Sequence, residues 1–197
     1  MKNLLHVGCG PQNINSLKGF PDHNWNEIRF DIDINVNPDL IGTLTDMSSV
    51  ESNSIDAIYS SHNIEHIFPH EVDIVFNEFI RVLKSDGFLV IACPDLQSVC
   101  ENVAKGNISE PLYISPAGPI SAMDIIYGHI DAISKGNTYM AHRCGFTWEL
   151  LNRKLHDAGF QMVFGGQYSE QFALKAIASK SAMSETSISN LFDTYIR

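Results

Sequence analysis

Two apolar runs near the C-terminus, 160–164 and 172–178, are separated by only seven residues, Gly165 to Gln171. A parallel crossover takes a dozen residues or more, so this pair is expected to form an antiparallel hairpin. The chain upstream reads differently. Short runs of buried-type strand alternate with longer connections, the pattern of a parallel sheet covered on both faces. The expected fold class is therefore α/β: a doubly wound sheet, mostly parallel, with a reversed last strand.

Asn3 to Gly10 (NLLHVGCG) reads as a short buried strand of Leu4, Leu5 and Val7, cut off by a glycine turn. Residues 11–25 are polar and broken by Gly19 and Pro21, leaving room for one or two helical turns around Ile14 to Leu17. A second strand is expected over 27–32, a brief third over 40–44 and a fourth over 54–61. Pro69 suits a first helical turn, and Val72, Val75, Phe76, Phe79 and Leu83 then mark one apolar helical face. Ser85-Asp86-Gly87 turns into the most continuous apolar strand, 88–93, which Pro94 stops. Residues 107–143 break the rhythm with Pro111, Pro116, Pro119 and several glycines, and are expected to form an insertion, or lid, over the sheet's carboxyl edge. Thr147 caps a helix running to Ala158, with Trp148, Leu151 and Leu155 inward and Gly159 as its stop. A length of 197 residues suits one domain, here 1–179, and the Ser-rich 180–197 reads as a frayed tail.

Thirteen basic against 23 acidic residues give a net charge of −10, which would repel nucleic acid or an anionic membrane in the absence of any cluster of cations. No apolar run approaches membrane-spanning length, and the apolar core of MKNLLHVGCG is too short for a signal peptide. Cys9, Cys93, Cys100 and Cys144 form no C-x-x-C pair and no zinc-ribbon spacing. They read as thiols of a cytoplasmic protein, with no metal expected.

Neighbouring strand ends present Gly8 and Gly10, Asp31, Asp46 and residues 60–62. The glycines let backbone approach a ligand. Asp31 lies 21 residues beyond Gly10, near the roughly 20 at which an acidic residue grips two ribose hydroxyls. Asp33 is a rival for that role. Asp46 could accept from an exocyclic amine such as that of adenine. Two carboxylates suit a nucleoside with a neutral or cationic extension better than a dinucleotide.

In order and spacing, LLHVGCG, FDID, GTLTDMSSVESNSIDAIYSSHNIEH, RVLKSDGFLVIACPD and GFTWELLNRKLHDAGF resemble the class I S-adenosylmethionine-dependent methyltransferases. In particular the chain resembles the type 11-like group, similar to enzymes of quinone biosynthesis and those found with glycan-synthesis proteins, over roughly residues 4–95 and 142–164. The resemblance implies a Rossmann-like fold, S-adenosylmethionine as cofactor with S-adenosylhomocysteine as product, and no metal. It assigns the methionine part to the loop Gly8, Cys9 and Gly10, and the ribose to Asp31 with Ile32 beside it. Adenine falls to Asp46 and Met47, and the sulfonium to the turn Ser61, His62 and Asn63. Two positions depart from the family pattern: His6 stands where many relatives carry an acid, and Gln12 where they carry a third glycine.

His62-Asn63-Ile64-Glu65-His66 is also a literal H-x-x-E-H, the inverted zinc-peptidase motif. That chemistry needs both histidines on one helix face. Here the motif follows a strand directly, which puts His62 on a loop. His62, His129 and His142 are the candidate general bases, His66 being expected to point into a helical turn. Met123, Tyr127, His129, Tyr139, His142 and Phe146 would wall the acceptor site. Their apolar, cation-poor character disfavours polyphosphates, and the family resemblance implies a small-molecule or glycan-type acceptor. The other readings are a cofactor-binding protein without catalysis, and a nicotinamide oxidoreductase, which the hairpin and the missing third glycine oppose. A homo-oligomer is compatible with the sequence.

Overall fold

A strand that buries successive residues must be covered on both faces. Stretches of that kind occur in β1 (Lys2–Val7), β4 (Ile55–Ser61), β5 (Leu83–Pro94) and β9 (Ala173–Ser179). The computed structural model describes residues 1–197 and places these four strands side by side at the centre of one sheet. With β2 (Trp25–Asp31), β3 (Leu40–Ile41) and β8 (Met162–Tyr168), the order is β3-β2-β1-β4-β5-β9-β8. Pairing is parallel from β3 through β5, and β9 runs antiparallel to both β5 and β8. The hairpin expected from the seven-residue spacing is present. Its reversed strand lies one place in from the edge of the sheet.

Alternation at period two gives each sheet face its own core. Leu5, Val7, Ile58, Leu89 and Ile91 share one with α1 (Val72–Val82) and α5 (Trp148–Asp157). Leu4, Ala57, Val90 and Ile177 belong to the other. The first crossover, whose only helix is a 3-10 turn, Ile14–Ser16, lays Ile14, Leu17 and Phe20 on this second face. α6 (Glu185–Tyr195) completes the cover, with Ile188 and Phe192 each 1% exposed. Phe192 packs against Phe164 with ring centroids 5.3 Å apart, and Tyr195 against Phe20 at 4.5 Å. The expectation of a frayed 180–197 tail is corrected: an incompletely covered sheet face recruits that segment as a docked helix.

Other boundaries shift for local reasons. α1 runs straight into β5 at Leu83, and residues 84–87 bulge opposite Asp56 where the sequence suggested a turn before the strand. α2 (Leu96–Ala104), which the sequence reading did not foresee, starts where the buried Asp95 accepts the Gln97 N–H. Residues 107–143 hold a hairpin of β6 (Pro111–Ser115) and β7 (Gly118–Ser121), then α3 (Ala122–Tyr127) and α4 (Ile130–Ser134). A small cluster of Val99, Ile120, Ala122 and Ile125 ties this segment to α2. No helix is long and apolar enough to cross a membrane.

Candidate functional site

The carboxyl ends of β1, β2 and β4 meet around a cavity of about 400 Å³, inside the roughly 300–1,000 Å³ typical of small-molecule sites. Gly8 ends β1 in the left-handed region (φ +60°), and a Cβ there would sit 2.4 Å from the Asn63 side chain. A side chain there would be strained in φ and would have to displace the Asn63 amide. Gly10 (φ +51°) has open space around it, so it needs conformational freedom alone.

Asp31, only 9% exposed, holds this turn in place. Its Oδ2 accepts the Gly10 N–H at 2.8 Å and its Oδ1 the Asp33 N–H at 2.9 Å. Asp33 in turn caps the 3-10 turn Ile34–Val36 through the Asn35 N–H. The Arg29 guanidinium donates to Gly10 O at 2.5 Å and Gln12 O at 3.0 Å on one loop, and to Val36 O at 3.0 Å and Asn37 O at 2.6 Å on the other. Two rims of the cavity are thereby tied to one side chain. Below them, burial lowers the proton affinity of His6, against the pull of Glu27. The neutral ring donates Nδ1–H to Glu27 at 2.8 Å, and the other Glu27 oxygen accepts the Ile14 N–H.

Gly8, Gly10, Asp31, Ile32 and His62 all line the cavity, as the sequence proposed, and Asn63 joins them. Cys9 and Ser61 do not. The Cys9 thiol is 2% exposed and burial pushes it up to about 11. Asp46 and Met47 lie outside the lining of the cavity. A tight turn, in which the Asp46 N–H donates to Thr43 O, swings the Asp46 carboxylate outward, where it accepts the Ser48 N–H. Met47 is fully buried, its N–H donating to Glu78 and its carbonyl accepting from Arg81. Thr43, Leu44 and Thr45 form the wall instead.

The histidines separate. His62 continues β4, its N–H bonded to Ala92 O, but with φ +50°, a strained conformation for a residue with a side chain. Its ring is 56% exposed and its Nδ1 stands 3.5 Å from Glu65 Oε1. Desolvation lowers its proton affinity, and Glu65 more than offsets this, so His62 titrates above the ordinary histidine value. His66 also lines the cavity, which sequence reasoning missed. The residues Ile64–His66 form a 3-10 turn, and α-helix begins only at Val72, so the ring is not carried into a helical face.

His142 borders an adjoining hollow of about 300 Å³, together with Glu65, Pro94 and Ile125. Its Nδ1–H donates to Ile125 O at 2.7 Å, and burial holds it below the usual histidine range. His129 lines neither space. Of the other expected acceptor-site residues, Tyr139 lines the cavity and Tyr127 the hollow, Met123 lines neither, and Phe146 is 2% exposed in the main core.

Glu65 sits between the two spaces. It is 1% exposed, and neither carboxylate oxygen has a hydrogen-bond partner. Burial pushes its carboxyl up, but His62, with His66 and His142 behind it, outweighs that and keeps it below the ordinary glutamate value. The two histidines of H-x-x-E-H share no helix face, so the zinc-peptidase arrangement is absent.

Residues 5–91 match a family model described as a methyltransferase domain. No curated protein matches in sequence. A SAM-dependent methyltransferase from Methanosarcina mazei superposes with a TM-score of 0.60 at 16% identity, over 92% of this chain and 93% of that one. A protein from Pyrococcus horikoshii OT3 gives 0.61 at 15%, over 91% and 82%. The 1,6-didemethyltoxoflavin-N1-methyltransferase of Burkholderia thailandensis, solved with 1,6-didemethyltoxoflavin and S-adenosylhomocysteine, gives 0.56 at 12%, over 91% and 71%. The chain shares its fold with these proteins, and its first 91 residues include a stretch similar to a methyltransferase domain. The matched segment ends within β5 and includes every strand tip around the cavity, while the adjoining hollow draws most of its wall from residues beyond it.

Proposed function

We propose that the protein transfers a methyl group from S-adenosylmethionine to a small-molecule acceptor. One observation carries the reading: a buried carboxylate, Asp31, stands at the carboxyl end of β2 facing the cavity, pinned to the glycine turn of β1. Each of its oxygens accepts one backbone N–H and keeps a lone pair for a ribose hydroxyl. Ile32 is 45% exposed at the cavity wall and offers an apolar surface for adenine, with Thr43 to Thr45 at the ring's edge. The Asn63 Nδ2 group is buried, unpartnered and beside Gly8, a donor suited to the methionine carboxylate.

The acceptor enters by the adjoining hollow, whose walls of Pro94, Leu96, Ile125 and Tyr127 suit an apolar or aromatic body. The 107–143 segment is read as the lid, a reading supported by Asn137, Tyr139, Met140 and Arg143 lining the cavity. That the Burkholderia enzyme holds a small acceptor beside its cofactor product on this same fold supports the assignment. The acceptor's O, N or C atom attacks the methyl carbon in line, the carbon–sulfur bond breaks with its electron pair left on sulfur, and a proton leaves to a base. Alignment of the reactants supplies about 7–11 kcal/mol and a base only about 10² to 10⁴ in rate. His142 and His62 flank the path and are the residues placed to take that proton.

Calorimetric titration with S-adenosylhomocysteine tests the cofactor, and transfer of labelled methyl to a panel of small hydroxyl, amine and enol acceptors tests the reaction. One-to-one binding followed by transfer is expected. Binding without transfer to any acceptor would make this a cofactor-binding protein, and no binding would remove the assignment.

A further inference from the structure

Glu65 is a carboxylate taken out of water, which normally finds hydrogen bonds or a cation. At 1% exposure neither of its oxygens has a geometrically sound hydrogen bond, and its one salt-bridge neighbour outside the cluster is the half-exposed His62, with Nδ1 3.5 Å from Oε1. Around it stand histidines whose tautomers are already fixed. The Nδ1–H of His66 donates to Ala141 O at 3.1 Å, and that of His142 to Ile125 O at 2.7 Å. A neutral ring held this way presents Nε2 as a bare lone pair, which is how metal-binding histidines are oriented by their outer-shell carbonyls. The ligand atoms of Glu65, His66 and His142 all lie within 4.8 Å of one another, and His142 Nε2 is 4.0 Å from Glu65 Oε1.

The backbone holds the set together. Glu65 O accepts the N–H groups of both Arg143 and Cys144, so the chain just after His142 is laced to Glu65 itself. His66 comes from the strand β4 turn and His142 from the end of the 107–143 segment, 76 positions later in the sequence. No spacing rule would pair them.

We propose that Glu65, His66 and His142 form a binding site for one divalent transition-metal ion, with zinc the ion it suits best. Two imidazoles and one carboxylate are a common catalytic-type donor set for zinc, and nitrogen donors select against magnesium and calcium. Ligand atoms around a tetrahedral zinc lie about 3.4 Å apart, so the side chains close by roughly an ångström on loading. Three protein ligands leave a coordination position open, and two of the three, Glu65 and His142, line the hollow. If the methyltransferase reading holds, such an ion would lower the pKa of an acceptor hydroxyl bound to it; with His142 serving as a ligand, His62 is the residue left to take the proton. The metal site itself does not depend on that reading.

The test needs neither cofactor nor acceptor. Chelator-stripped protein is dialysed against Zn²⁺ and bound metal is counted, with Co²⁺ substitution read by its visible absorption. One zinc per chain is expected, with a Co²⁺ spectrum of mixed nitrogen and oxygen ligation. His142→Gln and Glu65→Gln, checked for folding by circular dichroism, should each weaken zinc binding by more than about 100-fold, the upper end for loss of an outer-shell partner alone. Cys100→Ser, which removes an exposed thiol outside the cluster, should leave it unchanged. Sub-stoichiometric zinc in the wild-type protein, or stoichiometric zinc that survives both ligand substitutions, would overturn the proposal.

Discussion

The Asp31 carboxylate accepts the Gly10 N–H at 2.8 Å, joining the tip of β2 to the glycine turn that ends β1. One side chain therefore shapes the loop and faces the space the ligand would fill. Asp31→Ala removes both functions. Each charge-assisted hydrogen bond lost costs about 1.5–3 kcal/mol, so S-adenosylhomocysteine should bind at least about 10-fold more weakly by calorimetry, at 1.4 kcal/mol per factor of ten. Asp33→Ala, which removes only the cap on 34–36, should change affinity little and stability by about 1 kcal/mol.

The two glycines of the loop should respond differently to the same substitution. Gly8→Ala forces a Cβ to within 2.4 Å of Asn63 on top of an unfavourable φ, whereas Gly10→Ala meets only the φ cost. Thermal unfolding and ligand titration should show Gly8→Ala severely impaired. Gly10→Ala should fold, with a loss of about 1–2 kcal/mol for an alanine held in the left-handed region.

His6 makes stability sensitive to acid. Its folded pKa lies below the ordinary 6.5 because burial disfavours the charged ring, with Glu27, Arg29 and Asp31 as the charges facing it. Below pH 6.5 the unfolded chain takes up a proton that the folded chain resists, so this contribution is lost as pH falls toward the folded value. Melting temperature should therefore drop from pH 7 to pH 5, and His6→Asn should flatten that slope. An unchanged slope would remove His6 as its source.

The C-terminal helix should matter for folding and not for the site. Phe192→Ala empties a fully buried position against Phe164 and Tyr168, and core phenylalanine truncations cost about 3–5 kcal/mol. The melting temperature should fall sharply, while S-adenosylhomocysteine affinity, measured well below the transition, stays within about twofold.

The sheet was legible because its signals are local: β1, β4 and β5 announce themselves by apolar runs, and the short Gly165–Gln171 link fixes the antiparallel turn. The tail was not, because Ile188 and Phe192 find their partners only in residues far away in sequence, such as Phe164 and Tyr168. At the site, Gly8, Gly10 and Asp31 sit at strand ends and could be read off. Asp46 could not be placed, since the Thr43 to Asp46 turn decides which of four neighbouring residues faces inward. Glu65, His66 and His142 meet only through long-range packing, and Asn63 matters because of the space that Gly8 leaves it.

The most direct test is a crystal structure with S-adenosylhomocysteine. The expected result has both ribose hydroxyls within hydrogen-bond distance of Asp31, the adenine on Ile32 beside Thr43 to Thr45, and the sulfur near His62 and Asn63. A ligand bound away from Asp31, or held by Asp46 instead, would contradict the account.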